Sequence, residues 1–104
     1  MARIDCDVDS PLNVSVVVPT RDRPKDLADL LSTMLNQTCP PFEVIIVDDS
    51  PDGSAKKIVE FSSLSFKKIR SELRYMRGKD EGLPAARNLG ISVSRGDVVL
   101  FLDD

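Results

Sequence analysis

Histidine is absent from the 104 residues, and cysteine occurs twice, at Cys6 and Cys39. Without imidazoles, two distant thiols cannot complete a usual zinc set, and two reduced thiols are the simpler expectation for a cytosolic chain. Any metal would have to be held by oxygen, which suits magnesium or manganese. Charge of one sign is also in short supply. The formal net charge of −3 makes no broad electrostatic offer to nucleic acid, although local cations can still meet a small anion. No apolar run is long enough to span a bilayer. The opening Met-Ala-Arg-Ile-Asp has no apolar stretch beside a basic flank, so no secretory signal is read there and the expected localisation is cytoplasmic.

What is present is an ordinary globular balance, 41% apolar and 30% charged, in a length that holds one domain with a real core. The run VSVVV at 14–18, ending at Pro19, reads as a β-branched strand. Leu27, Leu30, Leu31, Met34 and Leu35 follow at the spacing of one helix face, with Pro24 where a first turn accepts proline. CPP breaks the chain, and FEVIIV at 42–47 gives a second strand. The turn SPDGS leads into a second helix, capped by Asp52 or Ser54 and carrying Ile58, Val59 and Phe61, whose end is blurred by the serine-rich stretch 62–65. Residues 66–71 give no pattern. A third strand at 73–76 is less apolar, as suits a sheet edge. GLPAARNLGISVSRG reads as a third helix that stops at Gly96, and its Ala85, Ala86 and Gly90 leave little bulk toward a strand. Residues 97–102, DVVLFL, form the fourth strand. Residues 1–12 look loosely tied down, and neither repeat nor linker divides 13–104.

Strands alternating with helices predict an α/β fold: a three-layer α/β/α arrangement on a Rossmann-like parallel sheet of about four strands. Near-continuous apolar strands fit helices on both faces. With the fourth strand beside the first, the order is 3-2-1-4 and reverses between strands one and four, which opens a crevice at their carboxyl ends. Pro19 and Thr20, Asp48 and Asp49, and Asp103 and Asp104 would share that rim. Acids at strand ends are often mere turn formers, and the stretch DDSPDG allows that for Asp48. Two acidic pairs on one rim would repel each other unless a divalent metal or a hydrogen-bond donor lay between them. A nucleoside diphosphate with its metal supplies both.

VSVVVPTRDRP, FEVIIVDDSPDGS, GLPAARNLGI and GDVVLFLDD together resemble, in order and spacing, the opening motifs of family-2 glycosyltransferases of the GT-A fold. The resemblance covers roughly residues 13–104. It implies a partial GT-A fold: the nucleotide-binding half of a longer transferase that moves a sugar from a nucleotide-sugar donor, most commonly UDP-linked, to an acceptor hydroxyl. Pro19 and Thr20 match the segment lining the nucleoside pocket. Asp49 matches the acceptor for a uracil-type N3–H, while Asp48 contacts the nucleotide or orients the loop. Arg87 matches a position near base or diphosphate, or else is a helix-surface cation paired with an acid. Asp103 and Asp104 match the start of the Asp-X-Asp motif that meets ribose and a manganese or magnesium ion, cut before its last acid, so metal binding by this chain would be weak or absent. No catalytic base is expected in this stretch.

The resemblance also implies that strand four is normally followed by further sheet, so residues 98–102 offer an edge for homodimer pairing. The full-length protein could be membrane-associated. Three other readings compete, one of them a nucleotidyltransferase, which would usually need a glycine-rich phosphate loop after strand one where PTRDRP has no glycine. A receiver-like signalling domain fits poorly, because its acidic pair should follow the first strand, which here ends PTRD. A non-catalytic binding or structural module would show no response to nucleotide.

Overall fold

β-Branched runs alternate with helix-periodic stretches from residue 14 onward, and the chain folds in that order. The computed structural model describes residues 12–104. Cys6, and all but the last residue of the segment expected to be loosely tied, lie outside them. The elements are β1 (Val14–Thr20), α1 (Pro24–Leu35), β2 (Glu43–Asp48), α2 (Ala55–Lys68), β3 (Glu72–Arg77), α3 (Leu83–Val93) and β4 (Val98–Phe101). The strands form one parallel sheet in the order β3-β2-β1-β4, as the sequence predicts. Central β1 and β2 are buried almost throughout, and the flanking β3 and β4 are half-buried.

Period-2 alternation divides the core into two layers. Val16, Val18, Val44 and Ile46 face α1 and α2, where Leu27, Leu31, Met34, Val59 and Phe66 close the larger cluster. Val17, Ile45 and Val47 face α3, chiefly through Ala86. A β-carbon added at Gly90 would come within 2.3 Å of a Val17 methyl, so α3 packs close to β1, as its small residues suggest.

The second helix differs from expectation in three ways. It runs through the serines to Lys68, because wholly buried Phe66 anchors its last turns to the sheet. Phe61, expected on the apolar side, is 89% exposed; it lies five residues before Phe66, roughly 140° around the axis. Neither Asp52 nor Ser54 caps the helix with its side chain. Instead, Asp48 at the end of β2 accepts the Ala55 N–H at 3.3 Å.

Most strand boundaries also move by a residue, and two shifts have a visible cause. β1 continues through Pro19 to Thr20. Val17 O accepts from Leu102 N on the β4 side and Thr20 O from Asp49 N on the β2 side, so alternation turns the Pro19 nitrogen toward β4 just where the β1–β4 pairing has ended. α3 stops at Val93, short of Gly96. There the Arg95 N–H is taken by the Glu43 carboxylate at 2.6 Å and the Gly96 N–H by Ser15 Oγ at 2.8 Å. Glu43 is itself wholly buried and also accepts from Arg74 and Ser15. Burial would raise its carboxyl, but these donors more than offset that and hold it below the ordinary value.

Candidate functional site

All four strands point the same way, so the residues following β1, β2 and β4 lie along one edge. Asp48, the last residue of β2, turns toward α2 and is wholly buried. Its Oδ1 accepts from the Ser50 N–H at 2.9 Å; its Oδ2 accepts from the Tyr75 hydroxyl at 2.8 Å, the Ala55 N–H at 3.3 Å and Arg77 Nη1 at 3.4 Å. Burial pushes this carboxyl up, and the bonds from Ser50, Tyr75 and Ala55 pull it further down, leaving it below the ordinary aspartate value. Asp48 thereby joins β2, β3, the 49–54 turn and the start of α2.

Asp49 emerges beside Thr20, whose carbonyl accepts its N–H at 2.9 Å. Its Oδ1 accepts the Asp80 N–H at 3.1 Å, while Oδ2 has no partner among the described residues. The carboxylate lies against Gly78 so closely that a β-carbon there would sit 1.8 Å from Oδ1. Glycine is required by this approach. Arg21 pairs with the Asp80 carboxylate, tying the β1–α1 loop to the β3–α3 loop. Between these loops is a cleft of about 180 Å³ lined by Pro19, Thr20, Arg21, Asp49, Gly82 and Leu83. Three sequence-predicted residues thus share one cleft.

Across β1, the end of β4 collects the others. Arg87 leans over the Phe101 ring, 5.5 Å from its centroid, with Nη2 4.0 Å from Asp103 Oδ1. Its Nε is buried without a hydrogen-bond partner. Asp103 is largely exposed. Asp104 accepts from the Thr20 hydroxyl, and burial raises its carboxyl despite that bond and the charge of Arg23. Among the described residues, no group of three or more His, Cys, Asp or Glu could hold a metal ion. Magnesium bound mainly by phosphate oxygens and water commonly needs only one or two protein carboxylates, a number that Asp103 and Asp104 would not exceed.

Sequence reading missed Arg21, Gly78, Asp80 and the Gly82–Leu83 wall. The signal at Gly78 is a glycine one residue past a strand, which marks close backbone approach or a turn without saying to what. Arg21 and Asp80 carry no signal until the topology makes them neighbours. A larger hollow of about 440 Å³ lies at the opposite edge of the sheet, around Phe42, Arg70 and Leu73. It holds none of the strand-end acids, and ligands in open α/β sheets bind at the carboxyl edge, so the smaller cleft is the better candidate.

Known proteins resemble this chain in sequence and in fold. A family model described as "Glycosyl transferase family 2" matches residues 15–104. An uncharacterized glycosyltransferase of Rickettsia felis is 40% identical over 90 residues, which cover 86% of this chain and 14% of that protein. Chondroitin synthase of Escherichia coli is 39% identical over 94 residues, covering 86% of this chain and 13% of its own length. Among solved structures, S. aureus TarS superposes with a TM-score of 0.69 at 32% identity, over 88% of this chain and 16% of TarS. Mannosyl-3-phosphoglycerate synthase from Rubrobacter xylanophilus, at 23% identity and a TM-score of 0.58, covers 88% of this chain and 30% of its own and shares the fold. The chain therefore spans about one seventh of the length of these two curated relatives.

Proposed function

The chain belongs to glycosyl transferase family 2, and from that premise we propose that residues 13–104 receive the nucleotide of a nucleotide-sugar donor in a glycosyltransferase domain of the GT-A fold. The observation that carries this reading is the uncommitted Oδ2 of Asp49 beside a cleft walled by Pro19, Thr20 and Leu83. A carboxylate oxygen there accepts from the N3–H of uracil, while Pro19 and Leu83 flank the base. Asp48 acts through the loop and does not touch the ligand. Arg87 and Asp103 part to serve diphosphate and ribose respectively. Asp103 and Asp104 would hold magnesium or manganese together with the diphosphate, and the metal's chemistry would be to neutralise charge on that leaving group. No residue here is assigned as catalytic base, and the 104-residue chain alone is expected to bind donor without turnover.

The test is a two-dimensional NMR titration with UDP, with and without magnesium, repeated with GDP. Shifts centred on Thr20, Asp49, Gly82 and Arg87, larger with UDP, are expected. A folded chain whose spectrum ignores both nucleotides would overturn the reading and favour a non-catalytic module.

The outer edge of β4 has no partner strand among the described residues, and Val98 and Phe101 are exposed on it. We propose that two copies pair there. Light scattering at high concentration should report a dimer, and a monomer would refute the pairing. No helix among the described residues is long and apolar enough to cross a membrane.

A further inference from the structure

We propose that the outward face of α2 is a docking surface for an anionic phospholipid membrane. Helical spacing places Lys57, Phe61, Leu64 and Lys68 at i, i+4, i+7 and i+11, one stripe on the side away from the core. Phe61 is 89% and Leu64 63% exposed, an unusual expense of apolar surface on a helix whose inward side is already filled by Ala55, Val59 and Phe66. Lys56, Lys67 and Arg70 flank the stripe, and Glu60 is the one acid between residues 55 and 70. None of these five cations forms an ion pair among the described residues.

Charge separates the candidate occupants. Five cations against one acid stand out in a chain whose net charge is −3, so the rest of the molecule is acidic and α2 is its basic side. An apolar pair framed by lysines is the pattern of a helix that lies in a bilayer interface: aromatic and aliphatic tips enter the acyl boundary while lysine stems reach back to anionic headgroups. The helix is already folded against the sheet, so docking does not have to order it. The hollow of about 440 Å³ beside its last turns is lined by Lys67 and Arg70, and also by Glu72, whose carboxylate is already paired with Arg95. Because α2 runs back from the carboxyl ends of the strands, a membrane against its outer side leaves the nucleotide cleft opening along the bilayer.

The test is co-sedimentation of the chain with phosphatidylcholine vesicles, with and without phosphatidylglycerol, in the absence of nucleotide, so that it stands or falls apart from the donor reading. Binding is expected only with the anionic lipid, weakening as salt rises. Lys57→Gln with Lys68→Gln should lower the partition coefficient roughly twentyfold or more, about fivefold for each lysine. Phe61→Ser with Leu64→Ser should abolish retention at physiological salt, with circular dichroism unchanged because both side chains are exposed. Failure to bind anionic vesicles would sink the proposal, as would a double variant that partitions like the parent. A dimer that Phe61→Ser with Leu64→Ser dissociates, with no vesicle binding, would give this face to a second copy instead.

Discussion

A strand turns successive side chains to opposite faces, so the neighbours Asp48 and Asp49 meet different surroundings at the end of β2. Asp48 satisfies donors from three elements. Replacing it by Asn sets an amide against some of those donors and should cost about 2–3 kcal/mol, the scale of losing charged hydrogen bonds in a buried place. Its carboxyl lies below the ordinary value of 3.8, so the stabilisation is complete above that value and drains away as pH falls through the lower folded-state value. Thermal melts between pH 7 and pH 3 should therefore show an acid limb that Asp48→Asn flattens; an unchanged limb would deny Asp48 this role. At Asp49 the handle is Gly78. Gly78→Ala puts a methyl where Oδ1 lies, turns the carboxylate away, and should weaken UDP binding roughly tenfold to a hundredfold, the worth of one charge-assisted hydrogen bond. Calorimetric titration of the variant, with a melt to confirm folding, checks this. The pair DDS told the reader that acids stood at a strand end. The resemblance singled out Asp49; the contacts that hold Asp48 inward, from Tyr75 and Arg77 on β3, come from a distant element and leave no local pattern.

Among the elements, β1 and β2 were readable as near-continuous β-branched runs and α1 by its strong helical period. α2 was readable as a helix and misread as a surface. Phe61 and Phe66 are equally apolar, and only the sheet decides which is inside. The polar stretch around Phe66 hid the anchor, since serines lower helix propensity while tertiary burial of one aromatic restores it. The end of α3 was misplaced for a related reason: Gly96 looked like a stop, but the 95–96 backbone is claimed earlier by Glu43 and Ser15. Gly90 was read correctly as a place of close approach, and it permits a sharp prediction. Gly90→Ala gains helix propensity worth about 1 kcal/mol, yet drives a methyl into Val17. Overpacking of about 1–3 kcal/mol should offset or exceed the gain, and chemical denaturation should give a midpoint no higher than the parent's. A clear stabilisation would mean that α3 can lift off β1 at little cost.

At the scale of the whole molecule, the order β3-β2-β1-β4 was legible because right-handed crossovers and a single apolar sheet leave few alternatives. The carboxyl rim was legible as a location, but the crevice was expected between strands one and four, whereas the cleft lies on the β2 side of β1. Pro19, Thr20 and Asp49 line it, and Arg87, Asp103 and Asp104 gather beyond β1. The Arg21–Asp80 tie depends on two loops far apart in sequence, so it had no local trace. Charge, too, is arranged on a scale that composition conceals: a net of −3 averages an acidic rim with a basic helix.

The two helical layers are unequal. α1 and α2 cover one face over a cluster of twelve buried side chains, whereas α3 covers the other over four among the described residues. Opening the thinner side forfeits far less apolar contact, so the molecule should come apart in stages. In native-state hydrogen exchange, amides of α3 are expected to exchange ahead of those in α1, β1 and β2, and uniform protection would contradict this. Arg87 travels with α3. Each such breath would withdraw the guanidinium from the rim while the floor under Asp49 stays in place, making the capture of a diphosphate a matter of timing as well as of shape.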